Sequence, residues 1–309
     1  MALITHPVLS ELAARRYVLL LGGSGRLGQE CKAQLRDLGI PFWAPVRSEI
    51  DLGNLNGISR LLATTPPGMI VNAAAFTDVD AAETKRSEAR QINADVPAVL
   101  AEIASKLDIR LIQISTDFVF SGQAGRAYHE DDEPGPINWY GATKRAGERA
   151  ALMASPATIV LRTAWLHGNQ RPSFVHAFAR KLANGERIRA IADRFGSPTS
   201  ATALAGQIVG ICKAVLDGKD VSGGIYHAVG KGSASPFEIA HVIARELDAD
   251  VSLIRASSAT DQQDIAPRPV YAVLDCQKID ETLDLPCQHW QDGISHTIRH
   301  AGIRRRRVA

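Results

Sequence analysis

"YVLLLGGSGRLG", residues 17–28, decides how the rest of this chain is read. Val18 to Leu21 form an unbroken apolar run, the pattern of a strand buried on both faces. It passes directly into Gly22, Gly25 and Gly28, spaced GxxGxxG. A helical pattern follows, "GRLGQECKAQLRDLG", closing on Gly39. With 25 glycines in the chain, a triplet alone is a weak signal. The strand before it and the helix after it give it meaning. Without side chains, the turn lets backbone N–H groups at Arg26, Leu27 and Gly28 approach a pyrophosphate at a helix N-terminus.

Outward from this turn, short apolar runs alternate with helix-length segments. "FWAPV" (42–46), "MIVNAAA" (69–75), "IRLIQIS" (109–115) and "ATIVLRTAW" (157–165) read as further buried strands. "ADVPAVLAEIASKLD" (94–108) reads as a helix between them. This order predicts an α/β fold with a doubly wound parallel sheet. After residue 170 the pattern loosens. Helices are expected over "SATALAGQIVGICKAVLDG" (200–218) and "SPFEIAHVIARELDA" (235–249), and a strand over "GIYHAVG" (224–230). The expected division is a nucleotide-binding domain over 1–170 plus 199–229, and a smaller α+β substrate lobe over 171–198 plus 230–309.

The second strand ends in "VRSEIDL". An acidic side chain at that point would hold the ribose hydroxyls of NAD; here the charge is Arg47, and a guanidinium suits a 2′-phosphate. NADPH is therefore the preferred expectation, with NADH the alternative. Asp51 and Leu52 are placed to border the adenine.

"NWYGATKRAGE" (138–148) sets Tyr140 and Lys144 four positions apart, on one face if the segment is helical. A free phenol titrates near ~10, and an ammonium one turn away lowers that value. Lys144 also has donors to spare for a cofactor ribose.

Composition bounds the remaining possibilities. The chain has 309 residues, 22% charged, with a formal net charge of +2, which offers no electrostatic case for nucleic acid or a membrane surface. The basic run "IRRRRVA" at the C-terminus reads as a solvated tail, and residues 1–16 as a short lead-in interrupted by Glu11, Arg15 and Arg16. Cys31, Cys212, Cys276 and Cys287 have no regular spacing, which suits a reducing compartment, and the expected location is the cytoplasm. The nine histidines show no zinc-like spacing, so no metal is expected.

With glycines, tyrosine and lysine in hand, the chain resembles the extended short-chain dehydrogenase/reductases. "VNAAAFTDVDAAE" (71–83), "STDFVF" (115–120), "YGATKRAGE" (140–148), "RTAW" (162–165), "FGSPTSATALA" (195–205) and "RPVYAVLD" (268–275) resemble, in order, the dTDP-4-dehydrorhamnose reductase family. That resemblance implies a Rossmann-like fold and reduction of a 4-keto sugar nucleotide. It implies that Asn72, Ala73 and Ala74 lie along the cofactor, and Ser115 and Thr116 over the substrate carbonyl. Thr163 and Trp165 would bracket the nicotinamide and the sugar, and Arg268 would contact the nucleotide-sugar phosphates. Tyr140 becomes the general acid, Lys144 its tuner and ribose anchor, and Thr116 the carbonyl orienter. Asp117 and Phe76 fall among the substrate contacts.

Two positions depart from the family pattern. Phe76 stands where the family often has His. Thr202 stands where it often has a Glu that in some members serves a Mg²⁺-bearing dimer contact, so a homodimer is left open. The same scaffold hosts sugar-nucleotide epimerases and dehydratases. A dehydratase needs an acidic pair after the Thr, and here Asp117 is followed by Phe118. A non-catalytic binding relative, such as the regulatory subunit of methionine adenosyltransferase, is the other alternative; the intact Thr116, Tyr140 and Lys144 argue against it.

Overall fold

The computed structural model describes residues 16–303. The lead-in before Arg16 and the basic run after Ile303 lie outside the described residues. Six parallel strands form the central sheet: β1 (Val18–Leu21), β2 (Phe42–Trp43), β3 (Met69–Asn72), β4 (Arg110–Thr116), β5 (Ile159–Thr163) and, later in the chain, β9 (Gly224–His227). Their order is β2-β1-β3-β4-β5-β9, with every pairing parallel. The expected doubly wound sheet is what forms. Val18, Leu19 and Leu20 are fully buried because helices cover both faces.

α1 (Arg26–Asp37) and α8 (Ala201–Leu216) pack together on one face, over Val18, Leu20, Ile112 and Leu161. α2 (Leu55–Thr64) and α5 (Val96–Lys106) cover the other, over Leu19, Ile70 and Leu111. α6 (Trp139–Ala154) packs beside α5. Between α1 and α8, Gln34 Nε2 donates to the Thr202 carbonyl at 2.8 Å. The half-buried Thr202 side chain lies beside Glu30 and works against the rise that burial causes in its carboxyl.

The remaining elements are α3 (Val79–Thr84), α4 (Arg86–Arg90), β6 (Leu166–His167), α7 (Phe174–Ala183), β7 (Ile188–Ile191), β8 (Thr199–Ser200), α9 (Pro236–Glu246), β10 (Ile254–Ser257), α10 (Gln277–Leu283) and α11 (Trp290–His300). A second apolar cluster gathers α7, α9 and α11 around the parallel pair β7–β10. Leu274, Cys276 and Ile279 pack instead into the main cluster, beside β9. The β6–β8 pair joins Leu166 to Thr199 and His167 to Ser200. Among the described residues the four cysteines are free thiols, no His/Cys/Asp/Glu group could hold a metal, and no helix is long and apolar enough to cross a membrane.

Strand ends are where sequence expectation and structure differ. β3 stops at Asn72 rather than Ala75, β2 at Trp43 rather than Val46, and β5 at Thr163 rather than Trp165. At each of these points the chain leaves the ladder to form the wall of a cleft. Before α5, residues Gln91–Asp95 form a π-helical turn, which periodicity alone does not reveal.

Candidate active site

Parallel sheets present their ligand crevice beyond the carboxyl ends of the strands, where the strand order reverses. Here the reversal lies between β1 and β3, and a cleft of about 1080 Å³ opens there. The β1–α1 turn forms its floor. Gly22 has φ +80, and a Cβ there would lie 2.6 Å from the Ala73 carbonyl carbon; a Cβ on Gly28 would lie 2.2 Å from the Gly22 oxygen. Only glycine allows this approach. Gly25 caps α1 with no side-chain hydrogen bond, and the first turn carries no acidic residue. The N–H groups of Arg26, Leu27 and Gly28 precede the first intrahelical bond, which runs from Gln29 N to the Gly25 oxygen. This is a phosphate cradle by construction, so the residues present fit a dinucleotide.

Arg47, Asp51 and Leu52 line the next part of the wall, as do Ala73, Ala74 and Phe76. Arg47 is exposed, and no ion pair engages it among the described residues. Asp51 forms a local turn, accepting from Gly53 N at 2.9 Å.

At the far end stand Ser115, Thr116, Asp117, Tyr140, Lys144, Thr163 and Trp165. Asn138 caps α6, accepting from Gly141 N at 2.8 Å, which puts Tyr140 in the first turn and Lys144 one turn on. Gly141 lets this turn lie against the 117–119 backbone: a Cβ there would be 2.1 Å from the Phe118 oxygen. Tyr140 and Phe118 meet edge to face at 5.6 Å. Lys144 Nζ donates to the Ile114 carbonyl at 2.6 Å. Burial pushes the Lys144 ammonium down to about 8, with Glu148 pulling the other way.

Burial likewise pushes the Tyr140 phenol up to about 12; a hydrogen bond with Thr116 opposes the rise and Asp117 adds to it. The expected lowering of the phenol by Lys144 is not what this geometry produces, because desolvation dominates and the ammonium is directed at a carbonyl. Ser115 Oγ and Thr163 Oγ1, on adjacent strand ends, are buried without hydrogen-bond partners, and both residues line the cleft. Trp165 sits at φ +41, a conformation a bulky residue adopts only under constraint. Its ring packs against Gly196, where an added Cβ would be 2.5 Å from Cε2.

Two expected contacts lie elsewhere. Asn72 stands behind the wall, donating to Gln113 Oε1 at 2.8 Å and accepting from Ala74 N at 3.2 Å. It shapes the Ala73–Ala74 segment rather than lining the cleft. Arg268 is drawn to Asp80 at 3.0 Å and to Asp264 at 3.8 Å, with its guanidinium 5.9 Å from the Phe118 ring centroid. It does not line the cleft either.

Other side chains that build the site escaped the sequence reading. Asn93, in the π-helical turn, accepts from Phe76 N at 2.9 Å and donates to Phe76 O and Thr143 Oγ1, both at 3.1 Å. Arg26, expected at the cradle through its backbone N–H, also uses its side chain: it donates to the carbonyls of Leu166 and Pro172 at 3.2 and 2.8 Å, tying residues 166–172 to the phosphate cradle. Glu148 pairs with Arg162 beneath the site. These partners come from distant parts of the chain, so local spacing carried no signal of them.

The family model described as the RmlD substrate binding domain matches residues 16–303. The chain is 35% identical over 281 residues to a dTDP-4-dehydrorhamnose reductase of Streptomyces griseus, covering 91% of this chain and 92% of the relative. The chain belongs to the dTDP-4-dehydrorhamnose reductase family. Within that family's reach it is also 36% identical, over 89% of its length and 92% of the relative's, to a probable dTDP-4,6-dihydroxy-2-methyloxan-3-one 4-ketoreductase of Streptomyces antibioticus. A solved dTDP-4-dehydrorhamnose reductase of Bacillus anthracis, in complex with NADP, superposes at a TM-score of 0.84 with 29% identity, covering 93% of this chain and 99% of that one. More distant sugar-nucleotide enzymes share the fold, among them a UDP-glucose 4-epimerase of Thermotoga maritima at 16% identity and a TM-score of 0.78.

Proposed function

We propose that this member of the dTDP-4-dehydrorhamnose reductase family reduces the C4 ketone of dTDP-4-dehydro-L-rhamnose to dTDP-L-rhamnose, or of a closely related 4-keto-6-deoxy sugar nucleotide. NADPH is preferred over NADH. The observation that carries the reading is the convergence of Thr116, Tyr140 and Lys144 in the same cleft as the Gly22–Gly28 cradle. The NADP bound to the Bacillus anthracis relative supports the cofactor.

In this reading the first-turn N–H groups of α1 hold the pyrophosphate, and Arg47 holds the 2′-phosphate. Bound there, a reduced nicotinamide supplies the hydride. Tyr140 holds the ketone oxygen by its O–H and gives up that proton as the alkoxide forms. The Thr116 hydroxyl steadies the same oxygen. Lys144, held at Ile114 O, keeps two donors for a cofactor ribose and brings positive charge toward the phenolate when it forms. Residues of the second apolar cluster, within 171–198 and 230–303, form the sugar-nucleotide lobe.

Phe118 separates this reading from a dehydratase. An apolar ring packs edge-on against Tyr140 at the position where elimination would need a second carboxylate. The test is NADPH oxidation with freshly prepared dTDP-4-dehydro-L-rhamnose. Oxidation with dTDP-L-rhamnose as product is expected, and Tyr140→Phe is expected to lower kcat by about 100-fold or more. Unchanged turnover in Tyr140→Phe would remove Tyr140 from the acid role.

A further inference from the structure

Thr116 has one hydroxyl proton, and its neighbours decide where that proton goes. Thr116 Oγ1 donates to Asp117 Oδ1 at 2.9 Å. One of its lone pairs is also engaged. The Phe118 N–H donates to Oγ1 at 3.2 Å, and the Tyr140 phenol lies beside the same side chain. A hydroxyl offers one donor and two acceptor sites. In this arrangement Thr116 has no proton to present to a ketone in the cleft, and the group holding it is the Asp117 carboxylate.

That carboxyl is 2% exposed, and its Oδ2 has no hydrogen-bond partner. The charges on the elements packed around it are directed elsewhere. Lys144 of α6 donates to Ile114 O. Glu148 of the same helix pairs with Arg162 of β5. Arg268, above the Phe118 ring, pairs with Asp80 of α3 and with Asp264. Tyr140 is the titratable group that faces Asp117 directly. Burial raises the Asp117 pKa to about 7, against the hydrogen bonds from Thr116 and from the backbone of Asp117 and Phe118. The carboxyl therefore changes protonation state near neutral pH.

We propose that Asp117 is a positioning residue whose protonation reverses the hydrogen bond to Thr116 and so presents the Thr116 proton to the substrate oxygen. Protonated, Asp117 donates to Thr116 Oγ1, the Phe118 N–H fills the second lone pair, and the Thr116 O–H turns to the cleft. The switch consumes no proton: the one delivered to the product alkoxide leaves Tyr140, which is reprotonated from solvent. The proposal rests on the reductase reading above.

Infrared difference titration of the cofactor-free protein, wild type against Asp117→Asn, tests the carboxyl directly. A protonated-carboxyl band that disappears as pH rises through about 7 in wild type, and is absent in the variant, is expected. With the 4-keto sugar nucleotide that the enzyme turns over, wild-type kcat falls about tenfold or more across the same titration, while KM for NADPH holds. The side-chain amide introduced by Asp117→Asn can donate to Thr116 at every pH. This variant therefore loses the limb. Thr116→Ser, with its hydroxyl intact, retains the limb. A carboxyl already ionised well below neutral pH, or a wild-type limb surviving in Asp117→Asn, overturns the proposal. A successful infrared titration without turnover of any 4-keto sugar nucleotide overturns the reductase reading and leaves the hydrogen-bond reversal standing.

Discussion

Glu148 holds the guanidinium of Arg162 in a fork, Oε1 to Nε and Oε2 to Nη2, each at 2.9 Å. Both side chains are sealed from solvent, and the guanidinium stacks 4.9 Å from the Phe120 ring centroid. The pair ties α6, which carries Tyr140 and Lys144, to β5, which ends at Thr163. Breaking one side leaves a buried charge without its partner. Glu148→Ala is expected to destabilise the protein by about 3–5 kcal/mol, and the double replacement Glu148→Leu/Arg162→Met by less. Urea unfolding of the three proteins checks this; equal losses in the single and double variants would mean the pair is not what matters.

Gly28 leaves no room for a methyl group. A Cβ there meets backbone on two sides, the Gly22 oxygen at 2.2 Å and Gly23 Cα at 2.7 Å, and neither can move as a flexible side chain would. Gly28→Ala is expected to cost about 1–3 kcal/mol of stability by overpacking and to weaken NADPH binding about tenfold or more as the cradle is displaced. Cofactor titration by fluorescence, alongside thermal unfolding, separates the two effects.

Arg47 tests how the cofactor is chosen. A charge-assisted contact to the 2′-phosphate contributes about 1.5–3 kcal/mol. Arg47→Ala should therefore raise KM for NADPH by about tenfold or more and leave NADH within about twofold. Equal losses for the two cofactors would show that Arg47 does not read the phosphate.

Asp117 also leaves a mark on stability. Its folded pKa, about 7, lies above the ordinary carboxylate value. Between about pH 4 and 7 the folded state binds the proton more tightly than the unfolded chain, so this group's contribution to stability falls as pH rises and reaches its full cost above about 7. Asp117→Asn is expected to be more stable than wild type at about pH 8, by on the order of 2–4 kcal/mol, with the gap closing toward about pH 4. A constant gap across that range would contradict the shifted carboxyl.

Much of the site was legible because its residues answer local demands. The Gly22–Gly28 turn and the Tyr140–Lys144 spacing are fixed by distances along one strand, turn or helix. Arg268 shows where local reading stops: its type suited a diphosphate, but Asp80 and Asp264 lie within reach and take the guanidinium. Asn72 likewise had the right neighbours in sequence, yet Gln113, 41 residues away, holds it behind the wall. Asn93 could not be found at all, because its partners Phe76 and Thr143 come from other elements.

By itself the sequence determined the parallel sheet, the glycine turn that opens the first helix, and a tyrosine and lysine four positions apart on one helix. Apolar runs, glycine spacing and a four-residue helical repeat are short-range properties of the chain. Tertiary structure decided the protonation of the site. Only packing could bury Asp117 beside Thr116, raise Tyr140 by desolvation and turn Lys144 onto the Ile114 carbonyl. A pKa depends on the medium around a group, and that medium is assembled from distant parts of the chain.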